Sequence, residues 1–236
     1  MDLSKYDYKY VQVTDTGGMS FTGYADYRSA EYCFHEYGED EDGVIVSGYL
    51  VYESQIASIE EVEPHGMAEL WTERLVLRRY LPEDAEELYR YFGTDPEMHR
   101  YTGWNPYATP EMARQTVQRF IDGYRTERFY GWVIDFEGVV FGTIGAYDYH
   151  DDSIEVGFSI CRKCWGRGYA TEALRKVLEY LTENEGISCV TAWCASENAG
   201  SRRVLEKAGM KLVRTEEDGL VIGEMKYDKL WYEYRA

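Results

Sequence analysis

The stretch that most restricts the fold is SIEVGFSICRKCWGRGYATEALRKVLEYL, residues 153–181. Its first eight residues alternate. Ile154, Val156, Phe158 and Ile160 share one face, and Glu155, Gly157 and Ser159 share the other, as in a half-buried strand. Its last part places Ala170, Ala173, Leu174, Val177, Leu178 and Leu181 on one helical face. Between them lie Gly166 and Gly168. A strand that turns through glycines straight into a helix presents unpartnered first-turn amides and the positive end of the helix dipole. Glycine lets that backbone approach an anion closely, and Arg167 adds a positive charge. The segment therefore reads as a phosphate cradle. It is neither a Walker loop nor a dinucleotide fingerprint, because G-x-x-x-x-G-K-[ST] and G-x-G-x-x-G are both absent.

The same segment holds Cys161-x-x-Cys164, which raises metal or redox chemistry as a rival. A four-cysteine zinc site would need Cys189 and Cys194 as well. Those two sit five residues apart on one expected strand, so their side chains point to opposite faces. We expect no metal and five reduced thiols.

Residues 1–63 have a different grammar. KYVQVTDTGG and MSFTGYADY read as two strands joined at Gly17-Gly18, and VIVSGYLVYESQIASIEEV as further short strands. No helix-period segment stands out. The expectation is a small all-β module, weakly similar to SH3-like or Sm-like barrels. Within residues 1–66 there are 14 acidic residues against three basic ones, in a chain of formal net charge −18. Such a surface repels phosphate backbones and attracts cations, so nucleic acid is not an expected partner. Residues 64–70, with Pro64 and Gly66, read as a linker. No apolar run approaches the roughly 20 residues of a membrane helix, and no apolar leader opens the chain. The expectation is a soluble cytoplasmic protein without a membrane partner.

From residue 71 strands and helices mix. ERLVLRRY alternates, and Pro82 opens the acidic start of a helix. Thr109 reads as the N-cap of a helix over 109–125. FYGWVIDF and VVFGTIGAYDYH flank a turn at Glu137-Gly138. ISCVTAWC is a strand, ENAGSRRVLEKAGM a helix closed by Gly209, and two strands follow. The fold class is α+β.

WGRGYATEAL resembles the acetyl-CoA pyrophosphate loop of GNAT N-acetyltransferases, Q/R-x-x-G-x-G/A, aligned on Trp165-Gly166-Arg167-Gly168-Tyr169-Ala170. Trp165 departs from the Gln/Arg position, in a form similar to the ribosomal-protein (alanine) N-acetyltransferase branch. TERLVLRRYLPEDAEELYRYF, IEVGFSI and NAGSRRVLEKAGM extend the resemblance over about 71–234, and residues 71–236 form the implied domain. The resemblance implies a mostly antiparallel sheet with strands 153–160 and 187–194 splayed apart. It implies acetyl-CoA as the donor. Pantetheine would meet the backbone near Phe158 and Ile160, and pyrophosphate the amides of Arg167, Gly168, Tyr169, Ala170 and Thr171. Asn198 would touch the cofactor.

Direct transfer to an amine needs a route for the amine's proton and a donor for the leaving thiolate. Glu155 is the candidate base, and Asp148 and His150 are secondary. Ser201 is the candidate beside the sulfur and the cofactor, on one helix face with Asn198 and Leu205. Many GNAT enzymes carry a tyrosine donor at the position of Leu205, which cannot donate. Tyr101, Trp104 and Tyr107 could wall an acceptor channel or lie in a core or dimer contact. The expected acceptor is a small-molecule amine or a basic peptide or protein N-terminus, and a homodimer is compatible with the sequence. The other reading is a non-catalytic acyl-CoA-binding regulator that uses the β module for interactions.

Overall fold

The computed structural model describes residues 1–46, 48–62, 68–102, 105–124 and 128–235. The chain divides into two compact units, Met1–Ala68 with Gly123–Glu127, and Glu69–Asp122 with Arg128–Ala236.

The first unit holds β1 (Tyr10–Asp15), β2 (Ser20–Tyr24), β3 (Asp26–Arg28), α1 (Ala30–Tyr37), β4 (Gly43–Val46), β5 (Tyr49–Tyr52) and β6 (Ile56–Glu61). The strands form two three-stranded sheets, β2-β1-β6 and β3-β4-β5. They share a core of Leu3, Val11, Val13, Ala25, Val44, Val46, Val51, Ile56 and Ile59. Gly18 takes the left-handed conformation between β1 and β2, with φ +85°. The helix α1 corrects the expectation of a purely β module. Ser29 accepts the Tyr32 amide at its start, and Gly38 closes it in the left-handed conformation. Only Cys33 is buried in it, so no apolar periodicity announces it in the sequence. Of the expected linker 64–70, residues 64–67 lie outside the described residues, and Leu70 already belongs to a strand.

The second unit is built on one eight-stranded sheet. Its strands are β7 (Leu70–Trp71), β8 (Val76–Arg78), β9 (Tyr130–Phe136), β10 (Val139–His150), β11 (Ser153–Ile160), β12 (Cys189–Ala195), β13 (Lys211–Ile222) and β14 (Met225–Arg235). They lie in the order β13-β14-β12-β11-β10-β9-β8-β7. Every neighbouring pair is antiparallel except β11 with β12. Four helices accompany the sheet: α2 (Asp84–Leu88), α3 (Pro110–Gly123), α4 (Tyr169–Glu179) and α5 (Ala199–Ala208).

The local causes match the sequence. Glu137 and Gly138 both take positive φ, +53° and +83°, at the tight β9–β10 turn. Thr109 Oγ1 accepts the Met112 amide at the head of α3. Gly209, at φ +100°, closes α5. The helix α4 buries Ala173, Leu174, Val177 and Leu178; each larger side chain contributes about 1.5–3 kcal/mol. Arg78 ties the sheet to α2 through Asp84 at 2.8 Å and Asp135 at 3.1 Å. The Asp84 hydrogen bond leads the effects that raise the Arg78 guanidinium above its usual range.

Candidate active site

Strand β11 carries the site because its two edges are used differently. β11 and β12 pair only at Ser153–Cys189, Ile154–Val190 and Glu155–Thr191, and then diverge. The Cys161 amide donates to the Phe141 carbonyl on β10 at 2.8 Å. Backbone alternation then turns the N–H and C=O groups of Phe158 and Ile160 away from β10, into the gap. These are the two residues expected to meet pantetheine. The Ile160 carbonyl already accepts the indole N–H of Trp165 at 2.6 Å.

The cradle follows at once. Gly166 and Gly168 hold φ +76° and +83°, a region that penalises side chains. Gly168 caps α4, and the first intrahelical bond runs from the Glu172 amide to the Gly168 carbonyl at 3.0 Å. The amides of Tyr169, Ala170 and Thr171 therefore have no acceptor within the helix. Arg74, from the segment after β7, braces this turn. It donates to the Arg167 carbonyl at 3.1 Å and to Glu172 at 2.7 Å, and lies 4.5 Å from the Tyr169 ring centre. Burial pushes the Glu172 carboxyl up, but the Thr72 hydroxyl and Arg74 outweigh it and hold it below its usual value. A cavity of about 460 Å³ opens beside the turn, lined in part by Arg74, Gly168, Thr171, Arg175, Lys176 and Lys207. Turned-out strand polar groups, free helix-start amides and side-chain-free glycines are the groups that an amide-bearing arm and a pyrophosphate would require.

Glu155 sits where the fork opens. Its Oε1 accepts the indole N–H of Trp193 at 2.9 Å. Tyr147 stands opposite Glu155 on β10, and burial first, then the Glu155 charge, raise its phenol well above its usual value. Trp193 faces Trp231 across β12 and β14. Lys229 Nζ lies over both indoles. This face joins a carboxylate to aromatic walls, a combination that attracts cations.

The helix α5 brings Asn198 and Ser201 together. Asn198 Oδ1 accepts the Ser201 amide at 3.1 Å, so the asparagine is an N-cap in its own right. Leu205 is a core residue, 1% exposed. Tyr101 reaches this loop, its hydroxyl 3.4 Å from the Glu197 carbonyl and its ring packed edge-on against Tyr227. Tyr107 does not wall a channel. It is buried against Phe92, and burial pushes its phenol up to about 12. A Cβ on Gly93 would run into the Tyr107 carbonyl, so the two backbone segments are in close contact here. Trp104 lies outside the described residues. Asp148 and His150 project from the hairpin beyond the closed end of the fork, and both are exposed. Among the described residues their polar contacts are with each other and not with Glu155.

Cys161 and Cys164 stand 3.3 Å apart, sulfur to sulfur. Burial and the neighbouring thiol push Cys161 up to about 12, which makes it a poor thiolate at neutral pH. Among the described residues no three His, Cys, Asp or Glu side chains converge on a metal position. No helix among them is long and apolar enough to cross a membrane.

Sequence reasoning missed Arg74, Glu172, Trp193, Tyr147 and Lys229. Trp193 was recoverable, because alternation along the 187–194 strand places it on one face with Thr191, the partner of Glu155. Arg74 was not, since it acts across about a hundred residues.

Residues 74–211 match the Acetyltransferase (GNAT) domain family. The N-acetyltransferase p20 of Bacillus licheniformis is 30% identical over 178 residues, covering 71% of this chain and 99% of its own. Mycobacterium smegmatis RimJ, solved in complex with CoA-disulfide, superposes with a TM-score of 0.66 at 20% identity, covering 74% of this chain and 90% of its own. The ribosomal-protein-S5-alanine acetyltransferase of Vibrio fischeri superposes with a TM-score of 0.60 at 18% identity, covering 71% and 96%.

Proposed function

Because the chain belongs to the GNAT acetyltransferase family, we propose that it acetylates a primary amine by direct transfer, with a peptide or protein N-terminus as the leading acceptor and a small cationic amine as the competitor. The enzyme is an acetyl-CoA-dependent acyltransferase. What carries the finer reading is the place of Glu155: at the opening of the fork, on the indole-lined face, 2.9 Å from Trp193 Nε1. The fold-level similarity to a protein acetylating ribosomal-protein alanine favours an N-terminal acceptor.

Bound acetyl-CoA supplies the activated acetyl group. The chain's own residues do the rest. Turned-out polar groups of Phe158 and Ile160 orient the pantetheine arm, and the α4 amides hold the pyrophosphate. Glu155 draws the cationic amine to the fork and removes its proton, directly or through water. Trp193 holds one oxygen of that carboxylate in place. Ser201 donates a hydrogen bond toward the departing sulfur, a role that the buried Leu205 cannot fill.

The test is release of CoA thiol across a panel of N-terminal peptides, polyamines and other cationic amines at several pH values. We expect turnover with at least one class and about a hundredfold loss in Glu155→Gln. Tight CoA binding with no thiol release across the whole panel would overturn the direct-transfer reading.

A further inference from the structure

Lys229 lies over two indoles at once, where Lys5 lies over a single tyrosine ring. Lys9, Lys176 and Lys226 are each held by a carboxylate. Lys229 forms no ion pair among the described residues. Its Nζ lies 4.4 Å from the Trp193 ring centre and 4.0 Å from that of Trp231. Strand pairing sets this arrangement: Lys229 is opposite Ala195 and Trp231 opposite Trp193. The same Trp193 donates its N–H to Glu155. Three strands thus place an aliphatic amine, two indoles and the candidate base on one face beside the fork. The other charged groups facing it are Glu216 and Arg214 on β13, both in contact with Trp231.

We propose that Lys229 is an intramolecular acetyl acceptor, modified by the enzyme's own transfer chemistry when donor is bound and no external amine is present. This rests on the N-acetyltransferase function above. Burial lowers the Lys229 pKa, opposed by Glu155 and Glu216 and by the attraction of the ammonium to the two indole faces.

The step balances without a further reagent. Glu155 takes one ammonium proton and passes it to water. The Lys229 nitrogen forms the new N–C bond as the C–S bond of the thioester breaks. A second proton ends on the departing sulfur, and the third remains as the amide N–H. The product loses its positive charge, so the cation held over the indoles is gone. Acetylation would thereby free that aromatic pair for the cationic group of an external acceptor.

The full chain is incubated with acetyl-CoA alone and followed by intact mass and peptide mapping. We expect one acetyl group on Lys229, added at a rate per molecule that does not depend on enzyme concentration. Lys229→Arg keeps the charge over the indoles and should abolish the label at that position. Glu155→Gln should slow it by about a hundredfold. A readout independent of turnover is trace labelling with acetic anhydride without CoA. Lys229 should react at lower pH than Lys9, Lys176 and Lys226. External amines acetylated while Lys229 stays unmodified would overturn this proposal and leave the enzyme function standing. Labelling spread over exposed lysines and unchanged in Glu155→Gln would overturn it as simple chemical acylation. CoA binding without transfer to any amine would overturn both.

Discussion

Replacing Gly168 by glutamate tests the donor site most directly. Gly168 holds φ +83°, and the nearest heavy atom to an added Cβ is Arg74 Nη2 at 3.5 Å. That is ordinary contact with a mobile side chain, so bulk near the backbone adds little. Two other terms matter. A side-chain-bearing residue in the left-handed region costs about 1–2 kcal/mol, which the free loop can relieve and donor binding must reimpose. A carboxylate about 5 Å from a phosphate charge adds about 1–3 kcal/mol at an effective dielectric of 20–80. Together they come to about 3 kcal/mol, or about a hundredfold in Kd for CoA. Gly168→Ala carries only the first term and should lose about tenfold. Calorimetric titration with CoA measures both, and the melting temperature reports whether each variant is folded. A folded Gly168→Glu protein with wild-type affinity would refute the cradle. Equal losses in the two variants would refute the electrostatic part.

Three further outcomes follow from named contacts. Ser201→Ala should lower kcat about tenfold, the worth of about one hydrogen bond to an anion, while CoA affinity stays near wild type; an unaltered rate removes Ser201 from the mechanism. Arg78→Met leaves Asp84, 3% exposed, and Asp135, 8% exposed, without their cation. The cost should be about 3–5 kcal/mol in denaturant unfolding, and a shift under 1 kcal/mol would refute the network's role. The folded Glu172 carboxyl is held below its ordinary 4.5. Its contribution is therefore present above that value and lost as pH falls through the folded one. Glu172→Gln should cost about 1 kcal/mol at neutral pH, a gap that closes under acid; a gap that persists in acid would show that packing, not charge, is responsible.

What was legible in the sequence followed local rules. The strand, glycine turn and helix over 153–181 could be read because each element declares its own period and cap. The fork could be placed because the resemblance named its two strands. What escaped was long-range or aperiodic. Arg74 braces the Arg167 carbonyl and Glu172 from an edge segment no pattern marks as special. The helix α1 buries one residue and so lacks an amphipathic signature, although Ser29 and Gly38 were both visible caps. Tyr107 could not be assigned from composition, because a channel wall and a core contact use the same aromatic residue. Its close backbone contact with Gly93 is a tertiary fact.

Trp165 is the position where pattern and structure say different things. Against the general motif it stands in place of glutamine or arginine, side chains with more hydrogen-bond donors than an indole. The structure gives its single donor another target, the Ile160 carbonyl. That carbonyl is the last one of β11 turned into the gap, and the chain between them is a tight turn whose Cys164 amide returns to the Cys161 carbonyl at 2.9 Å. The indole therefore closes a short loop that fixes where Gly166 and Gly168 start relative to the fork. On the proposed reading the pyrophosphate is left to backbone amides and Arg167, while Trp165 sets the spacing between the two halves of the donor site. On this argument Trp165→Phe, which keeps the ring and loses the N–H, should weaken CoA binding about tenfold, the worth of about one hydrogen bond. Trp165→Gln should recover part of it only if its amide reaches either the carbonyl or the phosphate. Wild-type affinity in Trp165→Phe would show that ring packing alone sets the loop.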